Sequence, residues 1–330
     1  MTPARVLIVQ TAFLGDTVFS SALVQSLAAR WPGAEIDICV APRGRDVALA
    51  IPGVGKVHVY DKRGVDRGWA GLRRTAARLA TRQYPLAVLP HQSVRTALLA
   101  RLAAIPERVG FANGPVSLLY TRRVRSPARA FLQREADLAR SFGAEPAGMK
   151  LVPRREWIAA AHAALAHSAE QKLAAVCLGS EWETKIWPAS RVKALVRLLA
   201  HRGLRPVLVG GPRERALARE VGAAGGCIDT TGNPVGEALA ILSMSSLAVG
   251  GDTGLVHAAR ALGVPTVTVF GPTPRTVHLF GPRDRAVSLD LPCSPCSVHG
   301  SRRCPLGHHR CLRDLDAERV AAACQEVLPA

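Results

Sequence analysis

Short runs of Val, Ile and Leu alternate with Ala- and Arg-rich stretches along almost the whole chain, and this alternation restricts the fold more than any other feature. Continuous β-branched runs are typical of parallel strands that are buried on both faces and followed by helices. The pattern therefore indicates an α/β protein. It predicts strands at 5–11, 35–41, 56–61 and 86–91, a shorter appended pair at 108–111 and 119–124, and later strands at 172–180, 205–211, 227–232, 247–252 and 265–271.

A stretch rich in Gly and Pro, residues 143–156, separates two rounds of this alternation and predicts a linker. A chain of 330 residues is long enough for two domains. We expect two Rossmann-like, doubly wound domains, 1–155 and 156–330, that face a cleft, with ligands beyond the carboxyl ends of the strands. The predicted helices are one that begins near Asp16 and others at 43–50, 69–82, 94–104, 130–142, 189–202, 213–223, 235–245, 254–262 and 316–327.

The composition excludes several other architectures. Hydrophobic residues make up 48% and charged residues 21%, which suits a packed core and argues against general disorder. Because Gly, Pro or charge interrupts every long apolar run, we expect no membrane span. Gly15 and Asp16 break the apolar start of the chain, which favours a strand and helix over a signal peptide and a cytoplasmic location over export.

The formal net charge is +18, and it has two explanations. A basic balance suits an anionic partner such as nucleic acid, a phosphorylated substrate or a membrane surface, to which the protein would bind peripherally. The alternative is a GC-rich coding bias, because only 6 of the 43 basic residues are Lys. The charge is spread along the chain without interleaved aromatic residues, so we expect no nucleic-acid partner.

The first predicted strand ends in QTAFLGDTVFS, where Gly15 permits a tight turn and Asp16 falls at the start of a helix. In the structural interpretation, the Asp16 carboxylate caps the helix by accepting from free amides. In the functional interpretation, it removes a proton from an acceptor hydroxyl. The two are compatible because a carboxylate has two oxygens.

Polar residues also follow the strands of the second half. Ser180 and Lys185 lie in the loop CLGSEWETKIWP, where a lysine suits a phosphate oxygen, although for Lys185 taken alone a solvated surface residue is the simpler explanation. Glu214 follows the strand that ends in VGGPRE, where it can bind ribose hydroxyls or pair with the helix dipole.

The most specific local signal is the segment GGDTGLVH, in which a strand runs into glycines and a helix follows at once. Free amides at such a helix start form an anion site, and Thr253 adds a hydroxyl. His257 lies one turn later on the same face, as a ligand contact or as a core histidine. The segment is neither GxGxxG nor a Walker P-loop, which argues against a dehydrogenase or an NTPase.

These pieces together resemble glycosyltransferase family 9, the bacterial lipopolysaccharide heptosyltransferases. The resemblance spans almost the whole chain in order, and CPLGHHRCLRDLDAERV is similar to the tail of heptosyltransferase II-type members. It implies a GT-B fold and an inverting transfer without a required cofactor. It also implies an ADP-heptose donor held mostly by the C-terminal domain and a Kdo–lipid A core acceptor held by the N-terminal domain. The matching segments are RVLIVQTAFLGDTVFSSALVQSLAARWPGAEIDICVAP, GSEWETKIWP, VGGPRE and GGDTGLVHAARALGVPTVTVFGPT.

The resemblance also implies roles for individual residues. Asp16 matches the general base of the family. The remaining matches are donor contacts: Lys185 on the diphosphate, Ser180 near the phosphates, Glu214 at the ribose, and Asp252, Thr253, Gly254 and His257 in the DTGxxH segment, with Asp252 near the heptose hydroxyls.

Four arginines are weaker candidates for the acceptor site, because a planar guanidinium suits phosphates and carboxylates. No motif fixes them, and for each one alone a solvated face is the simpler explanation. They are Arg43, Arg45, Arg122 and Arg123.

Four of the eight cysteines are crowded near the C-terminus, at Cys293, Cys296, Cys304 and Cys311. Their spacing permits a structural zinc or iron–sulfur site, although it is not a standard zinc-finger spacing. Free thiols are the alternative, since structural disulfides are disfavoured in the cytoplasm.

The sequence therefore predicts a heptosyltransferase II-like enzyme. Within the class, heptosyltransferase I or III, or a related nucleotide-sugar transferase, is the alternative. From another class, the alternative is an inactive basic binding protein with a cysteine-held metal module. The exact acceptor hydroxyl, the donor anomer and the oligomeric state stay open.

Overall fold

A computed structural model of the chain describes residues 2–165, 171–223 and 225–328. The chain divides into two compact units, Met1–Val152 and Pro153–Ala330. Each unit contains one six-stranded sheet in which all pairs are parallel. The predicted α/β class is therefore confirmed.

The first unit has the strand order β3-β2-β1-β4-β5-β6. Because β1 and β4 are neighbours, the direction of winding reverses between them, and in such sheets ligands bind at this reversal beyond the carboxyl ends of the strands. The strands are β1 (Arg5–Gln10), β2 (Glu35–Val40), β3 (Val54–Val59), β4 (Leu86–Leu89), β5 (Glu107–Phe111) and β6 (Arg122–Val124), and the helices are α1 (Leu14–Arg30), α2 (Arg45–Leu49), α3 (Gly68–Ala80), α4 (Val94–Leu102) and α5 (Phe131–Arg140).

The second unit repeats this plan with the order β12-β11-β10-β7-β8-β9. The reversal of winding lies between β7 and β10. Its strands are β7 (Leu173–Cys177), β8 (Arg205–Val209), β9 (Ile228–Asp229), β10 (Leu247–Gly251), β11 (Thr266–Val269) and β12 (Asp284–Val287), and its helices are α6 (Arg155–Ala164), α7 (Ala189–His201), α8 (Arg215–Gly222), α9 (Val235–Ser243), α10 (Gly254–Ala261), α11 (Arg310–Arg313) and α12 (Ala317–Val327).

The sequence pattern missed three elements, which are α6, β12 and the short α11. Strand β12, with the sequence DRAV, lies at an edge of its sheet and is buried at one residue only, so it lacks the continuous apolar run of the central strands. Helix α6 begins at Arg155, inside the predicted linker 143–156, and packs against α9 in the second unit.

The buried strands explain the two cores. Central strands such as β4, β7 and β10 are buried at every position, as their uninterrupted apolar sequences predict.

No helix within residues 2–165, 171–223 and 225–328 has both the length and the apolar character that crossing a bilayer requires.

A buried carboxylate supports β2 in the first unit. Asp37 is fully buried and accepts hydrogen bonds from the Tyr84 hydroxyl, from the Lys56 backbone N–H at 2.7 Å and from the Arg82 guanidinium at 3.2 Å. Burial alone would raise the pKa of Asp37, but bonds from His58, Tyr84 and Lys56 and the Arg82 charge lower it to about 2. The folded state therefore favours the ionised form.

This shift predicts acid-sensitive stability. A carboxyl with a folded pKa of about 2 and an ordinary value of 3.8 adds stability above pH 3.8 that is lost as the pH falls through about 2. Asp37→Asn should therefore lower the free energy of unfolding at neutral pH by roughly 2 kcal/mol, and less in acid. Urea unfolding across this pH range measures the difference. Glu35→Gln, which removes a half-exposed carboxyl of the same strand, is the control, and an equal loss there would contradict the assignment.

Candidate active site

A buried ion pair lies at the carboxyl end of β10. The Lys185 Nζ is 2.7 Å from the Asp252 Oδ2, with side-chain exposures of 12% and 8%. Lys185 belongs to the loop after β7, and Asp252 follows β10 directly. The two strands are neighbours, so their carboxyl ends bring the two sequence-predicted residues together.

Asp252 accepts from four groups. The Thr273 hydroxyl donates to Oδ2 at 2.9 Å, while Nε2 of His257 and Nε2 of His278 lie 3.0 and 3.1 Å from Oδ1. Two oxygens offer about four lone-pair positions, so Lys185 and these three groups fill them. Burial would raise the pKa of Asp252, but the bonds from His257 and His278 and the Lys185 charge hold it well below its usual range.

The histidine of the motif is neutral at physiological pH. Burial lowers the pKa of His257 to about 4, against the opposing effect of its bond to Asp252. The bond from Nε2 to an ionised carboxylate then requires the proton on Nε2. His257 is therefore a donor that orients Asp252. His278, which stacks on His257 with ring centroids 4.6 Å apart, does the same but lies outside the recognised motif.

Close backbone approach explains two glycines of the site. A Cβ on Gly251 would lie 2.8 Å from the Lys185 carbonyl oxygen, so the lysine loop rests directly on the glycine of the strand end. Gly179 has a φ of +73°, and a Cβ there would lie 2.3 Å from atoms of the Glu214 side chain. Larger residues at either position would displace the side chains that the sequence singled out.

Helix α10 begins beside this pair. Thr253 is its N-cap residue, and the Thr253 Oγ1 is buried without a hydrogen-bond partner among the described residues. The first amides of a helix carry a partial positive charge and no intrahelical partner. The hydroxyl, the amides and the Lys185 ammonium together suit an anionic group.

The other two predicted donor residues shape loops of the same unit. Glu214 ends a 3-10 turn before α8 and accepts the Gly211 backbone N–H at 2.8 Å. Ser180 accepts the Trp182 backbone N–H at 3.3 Å. Both side chains therefore have a structural contact within their own loop.

The cysteine-rich segment supports the lysine loop. The Thr184 hydroxyl donates to the Ser301 carbonyl at 2.8 Å and accepts the Ser301 N–H at 2.9 Å. The His309 Nε2 donates to the Thr184 carbonyl at 2.7 Å. A Cβ on Gly300 would lie 2.9 Å from the Lys185 Cδ. The segment that holds the four cysteines thus fixes the residue next to Lys185.

The four cysteines are near one another but do not form a closed ligand set. Burial, followed by the charges of the other three cysteines, raises the pKa of Cys311 to about 11. Burial would raise the pKa of the Cys304 thiol, but backbone hydrogen bonding from residues 306–309 lowers it. Within the described residues, the one acidic, histidine or cysteine group with ligand atoms all within 4.8 Å is Asp252, His257 and His278, where the Lys185 ammonium already supplies the positive charge.

In the first unit, Asp16 is the third residue of α1 rather than its N-cap, which is Phe13. The Asp16 Oδ2 accepts the Phe13 backbone N–H at 3.0 Å, so the capping interaction is made one turn back along the chain. The residue is half-buried after the carboxyl end of β1, at the reversal of winding.

A second carboxyl near Asp16 was missed by the sequence analysis. Glu135 on α5 is 6% exposed; its Oε1 accepts from the Ser20 hydroxyl at 3.2 Å, and its Oε2 has no hydrogen-bond partner among the described residues. Burial and the nearby Asp16 charge raise the pKa of Glu135 to about 8 against the effects of Ser20 and Arg134. Glu135 is therefore mostly protonated near neutral pH. Nothing in the sequence indicated that Glu135 is buried, because a glutamate in an amphipathic helix is expected on the solvent-facing side.

Other polar residues lie beyond the carboxyl ends of β1, β3 and β4. Lys62 donates to the Thr11 carbonyl at 2.9 Å, and burial lowers its pKa. Burial and the Lys62 charge lower the pKa of His91 to about 4. Arg134 donates to the Gln92 Oε1 at 2.8 Å. Lys62 and His91 could have been found only from their positions after predicted strands, whereas Arg134 lies within helix α5.

The four weaker arginine candidates do not form one cluster. Arg43 and Arg45 follow β2, whereas Arg122 and Arg123 belong to β6, four strand positions away. At about 4.8 Å per strand, the pairs are separated by roughly 19 Å within the sheet. Arg122 also lies 3.2 Å from Glu107, and its guanidinium stacks on the Phe142 ring.

Two Rossmann-like units in one chain, each with polar groups beyond the carboxyl ends of its strands, match the architecture expected for a GT-B fold. A family model described as glycosyltransferase family 9 (heptosyltransferase) matches residues 72–306. The chain belongs to glycosyltransferase family 9 and is a glycosyltransferase.

Individual relatives agree with this assignment. Lipopolysaccharide heptosyltransferase 2 of Salmonella typhimurium is 26% identical, with 96% of each chain covered. Lipopolysaccharide heptosyltransferase 1 of Pseudomonas aeruginosa is 28% identical, over 96% of this chain and 92% of the relative.

Solved structures confirm the predicted GT-B fold. A glycosyl transferase family 9 protein from Veillonella parvula has a TM-score of 0.87 at 20% identity, with 98% of this chain and 97% of that chain covered. The E. coli ADP-heptose lps heptosyltransferase II has a TM-score of 0.80 at 22% identity, with 98% of each chain covered.

The buried Glu135 generates a pH prediction. Between its ordinary pKa of 4.5 and the folded value of about 8, the folded protein keeps a proton that the unfolded chain has released, so stability falls as pH rises through this range. Glu135→Gln mimics the protonated acid and should remove this decline. The melting temperature of the variant should therefore exceed that of the wild type at alkaline pH and approach it in mild acid.

The control is Glu145→Gln, which removes an exposed carboxyl of the same unit. Melting temperatures of the three proteins, recorded across the same pH range, make the comparison. A wild-type and a Glu135→Gln curve that run parallel at every pH would show that Glu135 is ionised throughout.

Proposed function

We propose that this glycosyltransferase moves heptose from ADP-heptose to a hydroxyl of the lipopolysaccharide inner core, with inversion at the anomeric carbon. The Lys185–Asp252 pair beside the start of α10 carries the proposal, because it presents a fixed positive charge where a diphosphate can bind. Relatives whose names include lipopolysaccharide heptosyltransferase 2 and 1 support the donor and acceptor class.

The proposed position of the donor phosphates follows from the number of N–H donors on Lys185. An ammonium has three N–H donors, and Asp252 takes one, so two remain for phosphate oxygens. The Thr253 hydroxyl and the first amides of α10 add neutral donors to the same anion. These groups stabilise the charge that develops on ADP as it leaves, without a metal ion. Glu214 and Ser180 are proposed at the ribose and the phosphates, and Gly254 and His257 at the donor.

The resemblance implied that Asp252 lies near the heptose hydroxyls, but we propose a different role for it. Its oxygens already accept from Lys185, Thr273, His257 and His278. In this arrangement it orients the lysine rather than offering an unused acceptor to a sugar hydroxyl.

In the proposed reaction, the acceptor hydroxyl oxygen attacks the anomeric carbon from the face opposite ADP. The hydroxyl proton passes to the Asp16 carboxylate, and the bonding pair of the broken C–O bond leaves with ADP. The Asp16 Oδ2 also accepts from the Phe13 amide, which holds the carboxylate in place at the start of α1. Arg43, Arg45, Arg122 and Arg123 remain candidates for acceptor phosphates, and Kdo–lipid A core is the proposed acceptor.

Two substitutions separate donor binding from chemistry. Asp16→Asn should lower turnover by about 10²–10⁴-fold with ADP affinity unchanged, because it removes a base and no donor contact. Lys185→Met should weaken ADP binding by about tenfold or more, because it removes charge-assisted bonds to phosphate. Calorimetry with ADP and a transfer assay with ADP-heptose and truncated core lipids measure both.

The matched control is Lys193→Met, since Lys193 is an ion-paired lysine of the same unit, 3.6 Å from Glu220. Transfer from another nucleotide sugar but not from ADP-heptose would favour the related-transferase alternative. Binding of nucleic acid without binding of ADP would favour the inactive basic protein. Full turnover by Asp16→Asn would exclude Asp16 as the base.

The finer assignment is heptosyltransferase II, the addition of the second heptose, with types I and III as alternatives. It is supported by the tail CPLGHHRC, while the relatives include both type 2 and type 1 enzymes. The proposed location is the cytoplasmic face of the inner membrane, where a +18 protein is attracted to anionic lipid.

We also propose that Cys293, Cys296, Cys304 and Cys311 hold a structural zinc or iron–sulfur centre. Thiolates are the ligands that both groups prefer, and the lowered pKa of Cys304 favours its thiolate. Because no three of these sulfurs lie within 4.8 Å of one another in the described structure, binding would draw them together. The centre would stabilise the segment that hydrogen-bonds to Thr184, beside Lys185.

Metal analysis tests this centre. The purified protein should contain zinc or iron, and Cys304→Ser should lose it and weaken ADP binding, because the support of the lysine loop is lost. Cys227→Ser, which changes a half-buried cysteine outside the segment, is the control. A metal-free wild type with the same ADP affinity as Cys304→Ser would exclude the centre.

A further inference from the structure

Large apolar side chains are exposed beyond the carboxyl ends of strands in the first unit. Val65 is 78% exposed, Trp69 is 53% exposed and Val94 is 52% exposed. Val65 and Trp69 flank the start of α3, after β3, and Val94 is the first residue of α4, after β4. Covering these side chains with a protein or lipid partner would be favourable. Their joint exposure therefore indicates an interaction surface.

The three residues belong to one local surface. The Arg95 Nη2, next to Val94, donates to the carbonyl of Gly68, next to Trp69, at 2.8 Å. Helices α3 and α4 pack against each other, so their first residues are neighbours. We call Val65, Trp69 and Val94, with the arginines described next, the docking patch.

Exposed arginines surround these apolar side chains. Arg63, Arg67 and Arg73 are all exposed, and the Arg73 guanidinium lies 5.5 Å from the Trp69 ring centroid. The segment 61–78 contains six basic residues and two acidic ones, and one of the acids, Asp66, is buried against Arg74 and Arg78. The solvent-facing charge of the patch is therefore strongly positive.

An exposed tryptophan among arginines matches the chemistry of a bilayer surface. Trp prefers the boundary between headgroups and acyl chains, and arginines pair with anionic headgroups. A soluble acidic partner would satisfy the charges but would not require an exposed Trp and two valines. The patch also follows the carboxyl ends of the strands, the same edge of the sheet as Asp16.

We propose that the docking patch binds the surface of an anionic phospholipid bilayer, with Trp69, Val65 and Val94 among the headgroups and the arginines on lipid phosphates. The inference rests on the proposed function in one respect: a membrane-held acceptor would then be delivered to the edge of the sheet that carries Asp16. The lipid binding itself is independent of which sugar is transferred.

Vesicle sedimentation tests the patch with the full chain. The wild type should bind vesicles of phosphatidylcholine that contain phosphatidylglycerol and should not bind phosphatidylcholine alone. Arg63→Glu with Arg67→Glu should weaken binding by about tenfold or more, since each basic residue near an anionic surface contributes measurably. Val65→Ser with Trp69→Ser should weaken binding at high salt, where screening leaves the apolar contacts.

The same unit and the second unit provide matched controls. Leu102→Ser changes an exposed apolar residue at the other end of α4 from Val94. Arg101→Glu with Arg197→Glu makes the same charge change at exposed positions on α4 and α7. Equal loss of vesicle binding in controls and patch variants would overturn the proposal, because net charge alone would then explain it.

A transfer assay separates this proposal from the proposed function. With a water-soluble, deacylated core acceptor, patch variants should match the wild type, while with acceptor in anionic vesicles they should be slower. Vesicle binding that depends on the patch, without heptose transfer to either acceptor, would exclude the function and keep the docking. Equal rates of variants and wild type on vesicle-held acceptor, with unchanged vesicle binding, would exclude the docking and keep the function.

Discussion

The buried pair of Lys185 and Asp252 is the interaction on which the proposed donor site depends. A buried lysine without a counterion would lose its proton or force the loop outward, and a buried carboxylate without donors would be equally costly. Here the carboxylate is saturated, which holds the ammonium charged at one position. In the proposed donor complex, a diphosphate would meet a charge that is already oriented, so little reorganisation would be needed.

That pair is fixed from several sides. The strand end supplies Asp252 and the bare backbone of Gly251, on which the Lys185 carbonyl rests. The cysteine-rich segment supplies Ser301 and His309, which bond to Thr184. Residues more than a hundred positions away in sequence thus determine where one lysine lies. This gives the cysteine segment a physical reason to accompany the donor site, whether or not it holds a metal.

The fold could be predicted from the sequence because buried parallel strands such as LAVL and LAVGG leave an uninterrupted apolar trace. Residues at strand ends, such as Asp16, Lys185 and Asp252, could be selected for the same reason. His278 and Glu135 could not, because they are brought to their partners by tertiary packing of a loop and of a helix face. Edge strand β12 and helix α6 were missed because few of their residues are buried, so neither leaves an apolar pattern in the sequence.

The two units share one strand order, yet their carboxyl ends carry opposite chemistry. In the second unit, the side chains after β7 and β10 and the start of α10 accumulate positive charge and N–H donors around one fixed anion. In the first, half-buried Asp16 follows β1 at the reversal of winding, and the buried Glu135 on α5, whose pKa burial raises to about 8, lies near it. The duplicated fold thus supplies the same edge twice, and in the proposed reaction the residues at each edge, rather than the fold, divide the work between an anion site and a base.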